Sequence, residues 1–232
     1  MRTIFRRTAF AAGVLGVGTL FGAVASAEIG ARVLPAPQID EPAGRPTFET
    51  AVLAGGCFWG IEGVYSHVKG VKSVISGYSG GEKSTATYPQ VGTETTGHAE
   101  AVEIKFDPKI VTYGKLLQIF FSVAHDPTQL DRQGPDSGPS YRSNIFYSDS
   151  VQQNIAKSYI AQLTAVKSYS APIVTRLDPM KAFYPAEAYH QDFLLLHPTY
   201  PYIVVNDLPK VANLKRLFPD YYVEKPVSGE KI

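Results

Sequence analysis

Residues 51–61 read Ala51-Val52-Leu53-Ala54-Gly55-Gly56-Cys57-Phe58-Trp59-Gly60-Ile61. The first four form a short apolar run of the kind that makes a buried strand, and the glycine pair after them is a backbone break. Beyond it, Phe58, Ile61, Tyr65 and Val68 recur at the spacing of one helix face. The stretch predicts a strand, a tight turn and a helix, with Cys57 at the turn. It is the only cysteine in the chain, and Trp59 is the only tryptophan. A lone cysteine makes no intramolecular disulfide and no zinc site built on several thiolates. It is either an inert buried side chain or a reactive thiol. Its neighbours favour the second reading. The positive end of a helix dipole favours a thiolate and lowers the thiol pKa, the glycines allow close backbone approach, and two aromatic rings can wall the sulfur.

Outward from this unit, Val71–Ser79 reads as a strand closed by Gly80-Gly81, and residues 82–97 as a loop. Glu100–Phe106 is a strand ended by Asp107-Pro108, and Tyr113–Ala124 a helix with Leu116, Leu117, Phe120 and Val123 apolar. Residues 125–140 form a loop punctuated by Pro127, Gly134, Pro135, Gly138 and Pro139, before a short strand at Asn144–Tyr147. Ser148 or Asp149 caps a helix whose stripe is Val151, Ile155, Tyr159, Leu163 and Val166. Then come a strand at Pro172–Leu177, a helix over 185–196 with Pro185 in its first turn, a strand or turn at Tyr202–Val205, and a last helix at Pro209–Phe218. No repeat is visible. The expected fold is α/β (α+β), a two-layer sandwich with a mixed sheet and a ferredoxin-like core. The expected organisation is residues 28–48 as a proline-rich linker or arm and 49–232 as a single catalytic domain.

Residues 1–27 are set aside from the fold. Arg2, Arg6 and Arg7 precede an uncharged apolar run, Thr8–Val24, and Ala25-Ser26-Ala27 supplies a cleavage site. This is the pattern of a secretory signal peptide, so an exported, periplasmic protein is expected; the alternative is a membrane tether made by an uncleaved segment. Arg6-Arg7 hints weakly at twin-arginine export. Cleavage leaves 19 basic and 21 acidic residues, and no basic run suggests a nucleic-acid partner. Disulfides are common in an oxidising compartment, so a lone thiol that works there must be restored by another molecule.

Three further features bear on chemistry. In the strand from Glu100, period two puts Glu100, Val102, Ile104 and Phe106 on one face, so a carboxyl shares an apolar surface. Burial there raises its pKa and prepares a general acid, whereas a place at the strand end would leave it in water. The long loop Arg132–Ser143, with Asp136 and Tyr141, is a candidate functional loop, and Tyr88 and Tyr141 are candidate phenolic donors. The five histidines show no zinc-hydrolase spacing, so no metal is expected. Two other functions fit the residues. One is a cysteine acyl-transfer or peptide-cleaving enzyme with His98 or His190 as base. The other is an exported binding module anchored by Phe58 and Trp59.

Gly56-Cys57-Phe58-Trp59-Gly60, Gly77-Tyr78-Ser79-Gly80-Gly81, Tyr88, Thr96-Gly97-His98-Ala99-Glu100, the 132–143 loop and Ala186-Glu187-Ala188-Tyr189-His190-Gln191 together resemble the A-type peptide methionine sulfoxide reductases, in order and spacing, over about residues 49–218. The resemblance implies reduction of methionine (S)-S-oxide in proteins, and of free methionine sulfoxide as a further substrate. It implies Cys57 as nucleophile, Glu100 as the acid, Tyr88 and Tyr141 as hydrogen-bond donors, Asp136 as a polar member of the site, and Phe58 and Trp59 as the pocket for the substrate methyl group. It implies no bound cofactor. Oxidised proteins or peptides and a thiol reductant, a thioredoxin-like protein or a small thiol, are the expected partners of a monomer. Two departures stand out. Many members carry resolving cysteines near the C-terminus and this chain has none, so the sulfenic acid left on Cys57 needs an external thiol. Gly138-Pro139-Ser140-Tyr141 stands where Gly-Thr-Gln-Tyr is usual, and Pro139 fixes φ and removes an N–H just before Tyr141.

Overall fold

The computed structural model describes residues 31–41 and 48–229; the expected signal peptide lies outside the described residues. The opening unit forms as β1 (Glu49–Gly55) and α1 (Phe58–Ser66), with Cys57 as the residue that caps the helix. There follow β2 (Val71–Ser79), α2 (Tyr88–Val91), β3 (Ala99–Phe106), α3 (Tyr113–Ile119), β4 (Arg132–Gln133), β5 (Asp136–Ser137), β6 (Ser143–Tyr147), α4 (Ser150–Ala165), β7 (Arg176–Pro179), β8 (Phe183–Pro185), α5 (Phe193–Leu196) and α6 (Leu208–Leu217). The main sheet runs β7-β6-β1-β3-β2-β8, with β6–β7 its only parallel pair, and β4–β5 is a separate small ladder. Its inner strands β6-β1-β3-β2, with α1 between β1 and β2 and α3 between β3 and β6, make the βαββαβ order of a ferredoxin-like core in a mixed sheet.

The central strands are buried on both faces, which explains the unbroken apolar run Ala51–Ala54. Leu53, Val102, Ile104, Phe106 and Ile145 face the helical layer, where Ile61, Val64, Leu116, Leu117 and Ile155 meet them. Val52, Ala54, Ala99, Ala101 and Phe146 form a smaller cluster on the other face, covered by Met180 and Phe183. Complete burial of a side chain of this size is worth about 1.5–3 kcal/mol. Of the two candidate caps of α4, Asp149 serves: its carboxylate accepts from the N–H groups of Val151 at 2.9 Å and Gln152 at 2.8 Å. Tyr65 ties α1 to α3 by donating its hydroxyl to the Leu116 carbonyl at 2.8 Å.

Residues 31–41 lie against α3 and α4 as an arm. Leu34 is buried and its N–H donates to Ser122 Oγ at 3.1 Å. Tyr159 donates to the Pro35 carbonyl at 2.8 Å, Gln162 to the Ala36 carbonyl at 2.9 Å, and Asp40 accepts from Thr112 Oγ1 at 2.6 Å.

Several boundaries move for identifiable reasons. The helix expected over 185–196 does not form. Pro185 ends β8, Asp192 is left-handed at φ 55°, and the segment is reduced to a 3₁₀ turn at Ala188–His190 and one α-helical turn at Phe193–Leu196. The Gln191 amide binds both the N–H and the carbonyl of Ser76 at 2.9 Å, so this segment spends its hydrogen bonds on β2. The strand expected at 172–177 begins only at Arg176, where it meets β6. The 82–97 loop contains the short helix α2, which starts at Tyr88. The 113–124 helix widens to π geometry from Phe120, and where a strand or turn is expected at Tyr202–Val205 a π turn, Ile203–Asp207, leads into α6.

Candidate functional site

The register of β1 on β3 brings the chemistry together. Leu53 pairs with Val102, so Gly55 and Glu100 lie one step beyond that pair on the same face, two residues before Cys57. Gly56 makes the turn at φ 99°, a conformation that L side chains avoid, and a Cβ there would lie 2.5 Å from Gln133 Cγ. The first helical N–H groups of α1 lack intrahelical partners. Phe58 N–H donates to Glu100 Oε2 at 3.0 Å, and Cys57 occupies the N-cap position of the same helix. Nucleophile and acid are therefore held at one helix end.

Glu100 is 3% exposed, so it does not face water at the strand end. Burial pushes its carboxyl up to about 8, against the pull of the Phe58 N–H. With Oε2 engaged, Oε1 takes no hydrogen bond from the described residues and is the oxygen able to carry a proton toward a ligand. Cys57 departs from the expectation of a lowered thiol pKa. Burial, with the Glu100 and Asp207 carboxyls beside it, pushes the thiol well above its ordinary range, and the Trp59 N–H and Lys210 offset this only in part. A nine-residue helix supplies a fraction of a charge at its N-terminus, too little to outweigh burial of the thiolate. At rest both groups hold their protons.

The phenols surround the same point. Burial and the neighbouring Glu100 and Cys57 raise the Tyr88 hydroxyl; burial, Glu100 and Tyr88 raise that of Tyr141. Both remain protonated donors. The Pro139 loop is firmly seated. Pro139 occupies the first position of a 3₁₀ turn, where a missing N–H costs nothing. Ser140 N and Oγ both donate to Glu94 at 2.8 Å. Arg142 donates to the carbonyls of Pro139 at 2.8 Å and His98 at 2.9 Å.

Asp136 is held by a group that sequence reasoning missed: Tyr202 donates its hydroxyl to Asp136 Oδ2. After burial, Cys57 is the strongest influence raising the Tyr202 hydroxyl, so a third phenol belongs to this cluster. Asp207 and Lys210 were also missed. They pair at 3.1 Å beneath α1, where Gly60 leaves room: a Cβ there would stand 2.1 Å from Asp207 Oδ1. All three sit just before or within α6, far in sequence from Cys57, and no local pattern in the sequence marks them.

Phe58 and Trp59 form the apolar wall. Phe58 is buried against Tyr78 and His190, with centroids 5.9 and 5.0 Å apart. Trp59 is partly exposed, stacks on Phe193 at 3.8 Å and donates its indole N–H to His190 Nδ1 at 3.2 Å. His190 also packs at 4.5 Å on Tyr88. His98 is committed elsewhere, its Nδ1 to the Gly81 N–H at 3.2 Å and its Nε2 to the Glu82 carbonyl at 3.0 Å. Neither histidine hydrogen-bonds Cys57 among the described residues, so neither stands where the base of an acyl transfer would.

Comparison with known proteins agrees with this arrangement. A family profile described as peptide methionine sulfoxide reductase matches residues 49–221. A relative from Mesorhizobium japonicum, named peptide methionine sulfoxide reductase MsrA 2, is 65% identical over 82% of this chain and 96% of its own. One of the same name from Synechocystis is 48% identical over 82% and 90%. Among solved structures, Mxr1 from Saccharomyces cerevisiae in reduced form superposes with a TM-score of 0.59 at 32% identity, covering 69% of this chain and 90% of that one. Methionine sulfoxide reductase A of Corynebacterium diphtheriae gives 0.57 at 34% identity, covering 73% and 86%.

Proposed function

The chain belongs to the peptide methionine sulfoxide reductase family, and on that premise we propose that Cys57 and Glu100 act together at the head of α1 to reduce a sulfoxide. The enzyme reduces methionine (S)-S-oxide in peptides and proteins to methionine, and an external thiol restores it. One observation carries the assignment of roles: the buried Glu100 carboxyl accepts the first N–H of the very helix that Cys57 begins, which sets the acid beside the thiol.

The protonation states support a specific order of events. A sulfoxide is dipolar, and its oxygen gains charge as sulfur is attacked. Glu100 gives its proton to that oxygen, which makes the sulfur electrophilic enough for a thiol that is not ionised at rest. As the Cys57 sulfur bonds to the substrate, its proton passes to the Glu100 carboxylate, so the acid is regenerated. Tyr88 and Tyr141 hold the oxygen by hydrogen bonds that strengthen with its charge, and Phe58 and Trp59 receive the methyl group. Transfer of the oxygen gives Cys57–SOH and methionine. Two external thiols then return Cys57–SH, one disulfide and one water.

The basic start, apolar run and Ala25-Ser26-Ala27 of the N-terminus support export to the periplasm. There the reductant is a thioredoxin-like protein or a small thiol kept reduced against an oxidising background. Turnover with a small dithiol on separated epimers of a methionine sulfoxide peptide tests the assignment. The S epimer is consumed and the R epimer is left; equal rates on both would remove it, and so would turnover of ester or amide substrates.

A further inference from the structure

A cavity of about 590 Å³ opens on Cys57 from the side of Asp136 and Tyr202. The Asp136–Tyr202 pair and Gln133 line it near the sulfur, and Leu34 of the arm and Tyr169 line it further away. None of Phe58, Trp59, Tyr88, Glu100 and Tyr141 lines it, so it is a second approach to the same atom. The second step needs such an approach. Displacement at a sulfenic sulfur is in line: the incoming sulfur enters opposite the S–O bond that breaks. The oxygen left by the substrate sits among Glu100, Tyr88 and Tyr141, so the incoming thiol must come from the other face. Recycling through the substrate pocket would meet the leaving oxygen head-on.

The charges around the cavity select the thiol. Arg32 and Arg132 line it and are exposed. Arg132 donates only to the Gly134 carbonyl, at 2.7 Å, and Arg32 lies 5.9 Å from the centre of the Tyr169 ring; neither makes an ion pair among the described residues. The lining carboxylates are occupied. Asp126 accepts from Thr128 and Gln129, and Asp136 accepts from Tyr202. Lys210 is paired with Asp207. What remains open is two guanidinium groups at the rim of a space within the usual range of small-molecule sites, about 300–1,000 Å³.

We propose that this cavity is the reductant's site, and that it admits a small monothiol bearing carboxylates, which Arg32 and Arg132 hold while the thiol reaches Cys57. This rests on the reductase reading above. The thiolate attacks the Cys57 sulfur, the S–O bond breaks, and the oxygen leaves as water with the proton from Glu100, giving Cys57–S–S–R. A second such thiol attacks the R sulfur, releases R–S–S–R and returns Cys57 as the thiol.

The test starts from enzyme oxidised by one equivalent of a methionine S-sulfoxide peptide, with the methionine released in that burst measured first. Mercaptosuccinate, 2-mercaptoethanol and cysteamine are then added separately, and loss of the Cys57 sulfenic acid is timed by mass spectrometry and expressed per thiolate. Mercaptosuccinate should react at least about tenfold faster than cysteamine at low salt, where exposed charges are least screened. Arg32→Glu with Arg132→Glu should abolish or reverse that order and leave the burst unchanged. Val205→Trp, at a position that is 68% exposed and lines the cavity, should slow all three thiols at least about fivefold with the burst again intact. An intact burst with recycling blind to thiol charge, or untouched by these substitutions, overturns the proposal alone. A missing burst in the wild-type enzyme overturns the reductase reading, and this proposal with it.

Discussion

Cys57→Ser reduces no methionine sulfoxide above the background of the added thiol, in single or multiple turnover. The sulfur must bond to a second sulfur and leave it carrying oxygen, and a hydroxyl does neither at neutral pH. Serine is close to cysteine in size, and Cys57, at 8% exposure, lines a cavity, so the fold survives and the loss is chemical. Far-ultraviolet circular dichroism and a thermal melt beside the assay check this. The same variant separates the reductase from the binding module considered at the outset: a module anchored by Phe58 and Trp59 would keep its full activity in cells without the thiol.

Glu100→Gln slows the single-turnover step by roughly 10²–10⁴, the usual contribution of a positioned acid. The amide keeps the size and the acceptor for the Phe58 N–H but has no proton of suitable acidity. The wild-type rate should fall as pH rises past about 8, where Glu100 loses its proton, and the variant should lack that fall. Rates within threefold of wild type would take the acid role from Glu100. Stability should move the other way. The folded-state pKa of Glu100 is raised from 4.5 to about 8, so the folded chain binds this proton more tightly than the unfolded one. That contribution is complete below the unfolded pKa and is lost as pH rises to about 8. Between pH 5 and pH 9 the melting temperature of Glu100→Gln should therefore climb relative to wild type. The acid that serves the reaction is a liability to the fold in alkaline solution.

Much of this architecture was legible because local and long-range forces agree. The run Ala51–Ala54, the glycine break and the helical spacing after Cys57 fix β1 and α1, since a strand buried on both faces and a helix with one apolar face leave plain signatures. The alternation after Glu100 placed its carboxyl on the core side correctly, because β3 is regular up to its first residues. Legibility failed where tertiary contacts outbid local preference. Pro185 and the apolar residues through Leu196 look like one helix, yet the Gln191 amide pairs with Ser76 and the segment breaks into a 3₁₀ turn at Ala188–His190 and a short helix at Phe193–Leu196. The ionisation of Cys57 was misjudged for a related reason: a helix terminus is visible in sequence, but the burial that outweighs it is not. Tyr202, Asp207 and Lys210 reach the site only because α6 packs across α1 at Gly60, a contact between segments about 150 residues apart that no periodicity announces.

The central claim is that one thiol and one carboxyl complete a single reduction and then stop, for want of a second cysteine. The most direct measurement mixes reductant-free enzyme with excess S-epimer peptide, counts the methionine formed and weighs the protein. The account predicts one methionine per enzyme, an added mass of one oxygen on Cys57 that dimedone traps, and renewed turnover when a small dithiol is added. Two or more methionines per enzyme without reductant, or oxygen found on any residue other than Cys57, would contradict it.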